Sequence, residues 1–433
     1  MNRVLGLGSS TALVIAAMVG AGIFTTTGLI APGLGSGAAL LAAWAISGLL
    51  ALMGALCYAE LGAAQPEAGG EYVYCERAYG PTVGFLTGVV STFVGFAVSL
   101  AGIALPFGAY LASLMPHWDA RLSGSAAVIA FALVHAWGVR EGARVNDAAT
   151  VIKVLLMLAF AGFGLFAQPT AAAPSAAPAL GASMTGAPFA SALVTLAFAY
   201  LGWNMACYLG GEVTDPARNL PRALLLGTGF VTVLYLVVNW VYLRAASVEE
   251  MVDAEGEGVV EIGAFVAERL FGDQVATWFT LLVLLILLST LSAMTMGGAR
   301  LIYAMAQRGQ LPAAFARLNA RGAPVRALQL QTLLALGVVW YGDLGRIYTY
   351  IGVLVTLSAA LTCFAVIVLR RREPEAERPF RVPLYPLPPL AFSLLAAWMI
   401  YNAVVYAPAC VAVSAATLLG ALALRPLLAT PQE

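Results

Sequence analysis

The chain has 433 residues, 61% of them hydrophobic and only 10% charged, and its 22 basic and 22 acidic residues leave no net charge. A water-soluble chain of this length needs ionisable groups over most of its surface, so the composition excludes a soluble globular protein, and without a basic excess it gives no footing for nucleic-acid binding. Cys57, Cys207, Cys363 and Cys410 lie in apolar runs and Cys75 in a polar connection, which makes a disulfide framework a poor fit.

Apolar stretches long enough to cross a ~30 Å hydrocarbon core recur along almost the whole sequence. They predict an all-α membrane protein with twelve transmembrane helices, at about 8–35, 37–59, 81–111, 122–139, 146–167, 187–209, 222–243, 271–300, 327–342, 345–369, 388–407 and 409–427. The first stretch is too long for a signal peptide and is followed by many more spans, so it reads as a membrane helix. Between 60 and 80, Glu60, Glu67, Glu71, Glu76 and Arg77 alternate with Tyr72, Val73 and Tyr74, and Pro66 and Gly69-Gly70 break the path. That pattern predicts an amphipathic interfacial helix, acting as a structural lip or as a gate. The connection 168–186 is uncharged and rich in Ala, Pro, Ser and Thr, a linker composition, and 244–270 is an acidic loop with short surface helices. Arg140, Arg144, Arg218, Arg222, Arg308, Arg317, Arg321, Arg326 and the cluster from Arg370 to Arg381 fall on one side of this topology, against only Arg121, Arg244, Arg269 and Arg346 on the other. The positive-inside rule then puts the first set and both termini in the cytoplasm.

Two spans carry the marks of a broken helix. In the first, Gly20-Ala21-Gly22 precedes Ile23 and Phe24; in the sixth, Phe198-Ala199-Tyr200-Leu201-Gly202-Trp203-Asn204 sets a glycine and an asparagine near mid-bilayer. Free backbone groups at that depth are costly unless they line a cavity. The breaks correspond if helices 1–5 and 6–10 are two repeats, the arrangement of a secondary transporter. Amides near Ala21, Gly22 and Ile23 would receive a carboxylate, and carbonyls of Val19, Gly20 and the turn at Ala199 and Tyr200 an ammonium. An α-amino acid presents both groups, with Phe198 placed to close over it or, more plainly, to fill space between helices. No nucleophile-and-base pair or metal triad can be assembled, so the sequence predicts no enzyme, no metal and no cofactor beyond a proton as coupling ion.

Lys153 is the sole lysine, inside the fifth span. Its ammonium must face the bundle, pair, snorkel or become neutral. One reading lets it snorkel to the nearby interface. The other places its nitrogen between helices 1, 5 and 8, near the carbonyls of Val19 and Gly22 and the hydroxyls of Ser289 and Ser292, where it would stand in for a sodium ion or carry a transported proton.

These residues resemble the amino acid-polyamine-organocation family, in the style of bacterial amino-acid permeases and of the light subunits of heteromeric amino-acid transporters. The resemblance spans about 6–385 and rests on Gly20 to Phe24, Phe198 to Asn204, the connection Glu212-Val213-Thr214-Asp215-Pro216-Ala217-Arg218-Asn219-Leu220-Pro221-Arg222, and Arg300 to Ala306 with Gly309-Gln310-Leu311-Pro312. It implies a leucine-transporter-like fold: a first inverted repeat over 1–167, a second over 187–370, and helices 11–12 with a cytoplasmic tail over 387–433. It also implies backbone contact with substrate at Gly20, Ala21, Gly22 and Ile23, Phe198 as outer gate, and Lys153 in place of a sodium site. Leu201 stands where related exchangers often have glycine, which favours smaller substrates if it points inward. Gly211 stands where many relatives have a glutamate, which weakens a paired acidic gate. The expected function is sodium-independent transport of a small or medium neutral α-amino acid in a prokaryotic inner membrane, by proton symport or by obligatory exchange, as a monomer or homo-oligomer in membrane lipid with no obligatory partner. A cationic or polyamine substrate, a non-transporting sensor and a channel fit less well.

Overall fold

Inside a bilayer every backbone amide must find its partner within its own segment or along a protein-lined cavity, and the chain answers with helices almost throughout. A computed structural model describes residue 3 and residues 5–67, 69–137, 139–167, 186–253 and 255–428, with the side chains of 139–149 outside the description. The expected linker lies outside the described residues over 168–185.

In chain order the helices are α1 (Leu7–Met18), α2 (Ala21–Leu34), α3 (Gly37–Ala64), α4 (Glu71–Tyr79), α5 (Pro81–Val89), a π-helical stretch (Val90–Val98), α6 (Ser99–Leu114), α7 (Ala120–Trp137) and α8 (Val139–Phe166). There follow α9 (Ala187–Ala199), α10 (Met205–Tyr208), α11 (Pro216–Ala245), α12 (Ile262–Phe271), α13 (Asp273–Gln307), α14 (Val325–Tyr341), α15 (Leu344–Arg372), α16 (Leu387–Tyr406) and α17 (Pro408–Leu428). Among the described residues nine helices are long and apolar enough to cross a membrane, counting α1 with α2 and α5 with α6 as single spans. Three shorter apolar helices, Thr150–Phe166, Ala187–Ala199 and Val325–Tyr341, fall at the expected fifth, sixth and ninth spans. The protein is an all-α, multi-pass membrane protein.

The stretch 60–80 departs from expectation. Only Glu71–Tyr79 forms the separate helix, while Glu60 belongs to the end of α3. Glu71, Tyr72, Val73, Tyr74 and Cys75 are buried, so α4 is a plug seated against α5 and α15 rather than an interfacial lip. The Glu71 carboxyl is satisfied internally by Tyr58, Ser91, Asn204 and Ser358, which periodicity alone cannot reveal.

The broken helices lie at the centre of the packing. α9 packs on α2, α3, α15 and α16, while α1 and α3 both pack on α11, and α13 packs on α6, α7, α8 and α14. Large apolar side chains such as Leu133, Phe163, Phe166, Leu333, Leu394 and Leu419 point outward, as lipid contact requires. At the arginine-rich end, buried Glu60 binds Arg370 at 2.5 Å and Arg378 at 3.6 Å, and Arg77–Glu373 and Arg308–Glu67 pair nearby.

Candidate functional site

The first break falls where glycine allows it. α1 stops at Met18, Val19 turns extended, Gly20 adopts φ −144° and ψ −146°, and α2 restarts at Ala21. The first-turn amides of α2, at Ala21, Gly22 and Ile23, therefore have no intrahelical acceptor and lie at the positive end of a helix dipole. The carbonyls on the other side are largely engaged. Tyr235 on α11 donates to Met18 O at 2.6 Å, Lys153 Nζ to Ala16 O at 2.7 Å and Val19 O at 3.0 Å, and Thr290 Oγ1 to Val19 O at 3.3 Å.

The second break follows α9. Tyr200 caps that helix, and Gly202 has φ +107°, a conformation open to glycine and strained for other residues. The two breaks meet: a β-carbon at Gly22 would lie 2.4 Å from Ala199 Cα, and one at Gly202 only 2.7 Å from the Ala17 carbonyl carbon. Only glycine permits these approaches.

One side of the meeting point is shut. Phe198 stacks on Tyr348 of α15 with ring centroids 3.9 Å apart, and Tyr348 Oη donates to Gly102 O at 2.9 Å and lies 3.1 Å from Thr25 Oγ1. The other side opens into a cavity of about 1720 Å³ toward the arginine-rich end, with Phe96, Met205, Tyr208, Glu212, Arg300 and Arg308 on its walls. At its inner end half-buried Leu201 joins Gly202, Asn204 and Met294 around a small recess.

Lys153 is 1% exposed, which rules out snorkelling. Its nitrogen meets the first break through Ala16 and Val19, not through the Gly22 carbonyl, and Ser292 lies instead 3.0 Å from His135 Nε2 of α7. Ser289 is buried on the same helix, α13. The Val19 carbonyl, expected to await a ligand ammonium, already accepts from Lys153 at 3.0 Å, while the single Thr290 hydroxyl proton is shared between Val19 O at 3.3 Å and Ile286 O at 2.9 Å.

Several participants escaped sequence reading. Tyr235 and Thr290 sit in unremarkable spans, and nothing in their neighbourhood distinguishes a tyrosine that bonds a broken helix from one that packs. The π-helical stretch brings Phe96 to the cavity and Ser91 to the small recess at its inner end; π-helical turns of this kind collect at functional sites. Glu71 belongs to the stretch expected to form an amphipathic interfacial helix, and its buried hydrogen-bond partners have no mark in the sequence.

The family profile described as amino acid permease matches residues 5–421. The serine/threonine exchanger SteT of Bacillus subtilis (strain 168) is 29% identical, over 90% of this chain and 88% of that protein. The human b(0,+)-type amino acid transporter 1 is 28% identical, over 94% and 84%, and the human Asc-type amino acid transporter 1 is 27% identical, over 92% of this chain and 77% of that protein.

Proposed function

The chain belongs to the amino acid permease family, whose members carry amino acids across membranes by secondary transport, and from that premise we propose that it moves a small or medium neutral α-amino acid, without sodium, by alternating access between the two helix breaks. The observation that carries this reading is the contact of the breaks, Gly22 against Ala199 and Gly202 against Ala17, closed on one side by Phe198 and Tyr348 and open on the other. Substrate carboxylate binds the free amides of Ala21, Gly22 and Ile23. Its ammonium turns to Gly20 and to the Ala199–Tyr200 turn, because Val19 is engaged elsewhere. Phe198 is the outer gate, and the state described faces the arginine-rich side, which the positive-inside rule makes the cytoplasm.

In this proposal the chain spans the membrane twelve times, with 1–167 and 187–370 as inverted repeats and both termini cytoplasmic. Lys153 holds helix one where a sodium ion would otherwise be needed, with Ser289 and Ser292 on the helix beside it, and it serves proton coupling by releasing and regaining its proton. Obligatory exchange is the second reading. The name of SteT as an exchanger supports it, and so does the fixation of Lys153 by two backbone carbonyls.

Uptake of a panel of labelled amino acids into proteoliposomes, with and without internal substrate and at two pH values, tests both. Net uptake into empty vesicles at acid external pH is the expected result of symport; uptake only into preloaded vesicles selects exchange; transport of no amino acid by inserted, folded protein overturns the reading. Leu201→Gly should admit bulkier amino acids, shifting competition by roughly 10-fold, the scale of a methylene or two in an apolar pocket. An unchanged competition profile would remove Leu201 from the size limit.

A further inference from the structure

A second buried charge lies on the cytoplasmic side of the breaks, apart from Lys153. Glu71 opens α4, a helix that does not cross the membrane, and is 3% exposed. Oε1 accepts from Tyr58 Oη at 2.6 Å and from Asn204 Nδ2 at 2.8 Å. Oε2 accepts from Ser91 Oγ at 3.3 Å and from Ser358 Oγ. The four donors come from α3, the helix-six break, the π-helical stretch and α15, so one carboxyl ties four elements together.

All four donors are neutral. None of the ion pairs among the described residues includes Glu71, and the titratable groups that face it are Tyr58 of α3, Cys75 on its own helix, Cys207 and Tyr208 of α10, and Cys363 of α15. Burial pushes the Glu71 carboxyl above the usual carboxylate range, while the bonds from Ser358, Tyr58, Ser91 and Asn204 pull it back. A proton fits without displacing a heavy atom. The Asn204 Nδ2 group can only donate, but a hydroxyl of Tyr58, Ser91 or Ser358 can turn from donor to acceptor and receive the new O–H.

A route to the cavity is in place. Tyr208 lines the cavity wall, its hydroxyl donates to Ser91 Oγ at 3.2 Å, and Ser91 donates to Glu71. A hydronium ion in the cavity gives its proton to the Tyr208 oxygen and becomes water, the original Tyr208 proton passes to Ser91, and the original Ser91 proton to Oε2, so that each hydroxyl loses one proton and gains one. No other bond changes, and no co-reactant is needed.

We propose that Glu71 is a second proton-binding site of this protein, filled from the cytoplasmic cavity through Tyr208 and Ser91 and sensed at the helix-six break by Asn204. A neutral carboxyl accepts more weakly from Asn204 than a carboxylate does, so filling the site loosens the inner half of helix six. The link to transport rests on the function proposed above; the protonation site itself does not.

Infrared difference spectra of the purified full chain, taken between acid and neutral pH, test the site directly. A protonated-carboxyl band is expected to grow on acidification and to be missing in Glu71→Gln; the same band at full strength in that variant overturns the proposal. Tyr208→Phe leaves the carboxyl and its four donors intact and keeps the measurement possible if Glu71→Gln does not fold. In it the band should persist but fill at least roughly 10-fold more slowly after a pH jump, the scale set by removing one positioned proton-transfer group. An unchanged filling rate eliminates the route. In proteoliposomes, wild-type uptake should follow internal pH, and Glu71→Gln should follow it less than about twofold across a range where one titrating group changes its charged fraction about 10-fold per pH unit. Uptake that tracks internal pH equally in both overturns the coupling. A band that depends on Glu71 in protein that moves no amino acid retains the site and overturns the transport reading instead.

Discussion

Lys153 and Glu71 flank the paired breaks as opposite solutions to one problem. Each is a buried ion without an ion partner among the described ion pairs. The lysine is held by the carbonyls of Ala16 and Val19 in helix one, and the glutamate by three hydroxyls and the Asn204 amide beside helix six. The carbonyls around Lys153 belong to the backbone and are fixed in direction, whereas the hydroxyls around Glu71 can turn from donor to acceptor without separating opposite charges. Glu60, only a few residues upstream of Glu71, shows the alternative. It is as deeply buried but is clamped by Arg370, Arg378 and the Val382 amide, and Arg370 is further stacked on Tyr385 at 3.9 Å. A carboxylate so paired is a fixed anchor, whereas one surrounded by neutral donors is poised to take up a proton.

Four substitutions separate the anchor from the proton sites. Glu60→Gln should have the largest effect on stability, lowering that of the detergent-solubilised protein by ~3–5 kcal/mol because it leaves two arginines without their buried partner; a thermal unfolding shift no greater than that of Glu71→Gln would erase the distinction between anchor and proton site. Next comes Lys153→Gln, which keeps a donor but removes the charge. Transport should fall by roughly 100-fold, within the range of coupling energies between linked sites, with proton uptake driven by substrate abolished; undiminished pH dependence would take Lys153 out of coupling. Glu71→Gln should matter through pH. The folded carboxyl lies above its unfolded value, so its contribution to stability is full at acid pH and lost as pH rises through the folded pKa. Melting temperature in the wild type should therefore decline along that limb by an amount missing in the variant, and parallel curves would refute it. The smallest effect belongs to Glu250, paired with Arg269 at 2.6 Å on the opposite face. The Ser247 amide, then Arg269, hold its carboxyl below the usual range, so its stabilisation is present at neutral pH and lost as pH falls. Being exposed and screened, it should be worth under ~1 kcal/mol in Glu250→Gln; a larger loss would mean that solvent-facing pairs count as much as buried ones here.

Much of this architecture was legible because lipid is a severe solvent. Spans are fixed by length and apolarity, and the breaks by glycines whose missing side chains are needed where Gly22 meets Ala199 and Gly202 meets Ala17. Lys153 stood out because one lysine in an apolar run must have a reason. What was hidden depends on tertiary packing. The stretch 60–80 looks like a surface helix, and only the groove between α5 and α15 buries α4 and turns Glu71 inward. The π-helical turn is likewise decided by neighbours: Phe96 fits against Gly297 and Gly298 of α13, a match between distant segments that no local pattern encodes. The engagement of the Val19 carbonyl was missed for the same reason, since Thr290 shows no sequence mark of reaching helix one.

A short backbone link joins the two broken helices at their arginine-rich end. Ahead of α1, Leu5 N donates to Glu212 O at 2.9 Å, and Thr214 N donates back to Leu5 O at 2.9 Å, a parallel bridge between Leu5 and Val213. This two-bond staple joins the inner end of helix one to the segment just beyond α10. The two half-helices on either side of the cavity are therefore yoked through backbone bonds that no side-chain substitution removes, so a tilt of one would be passed to the other.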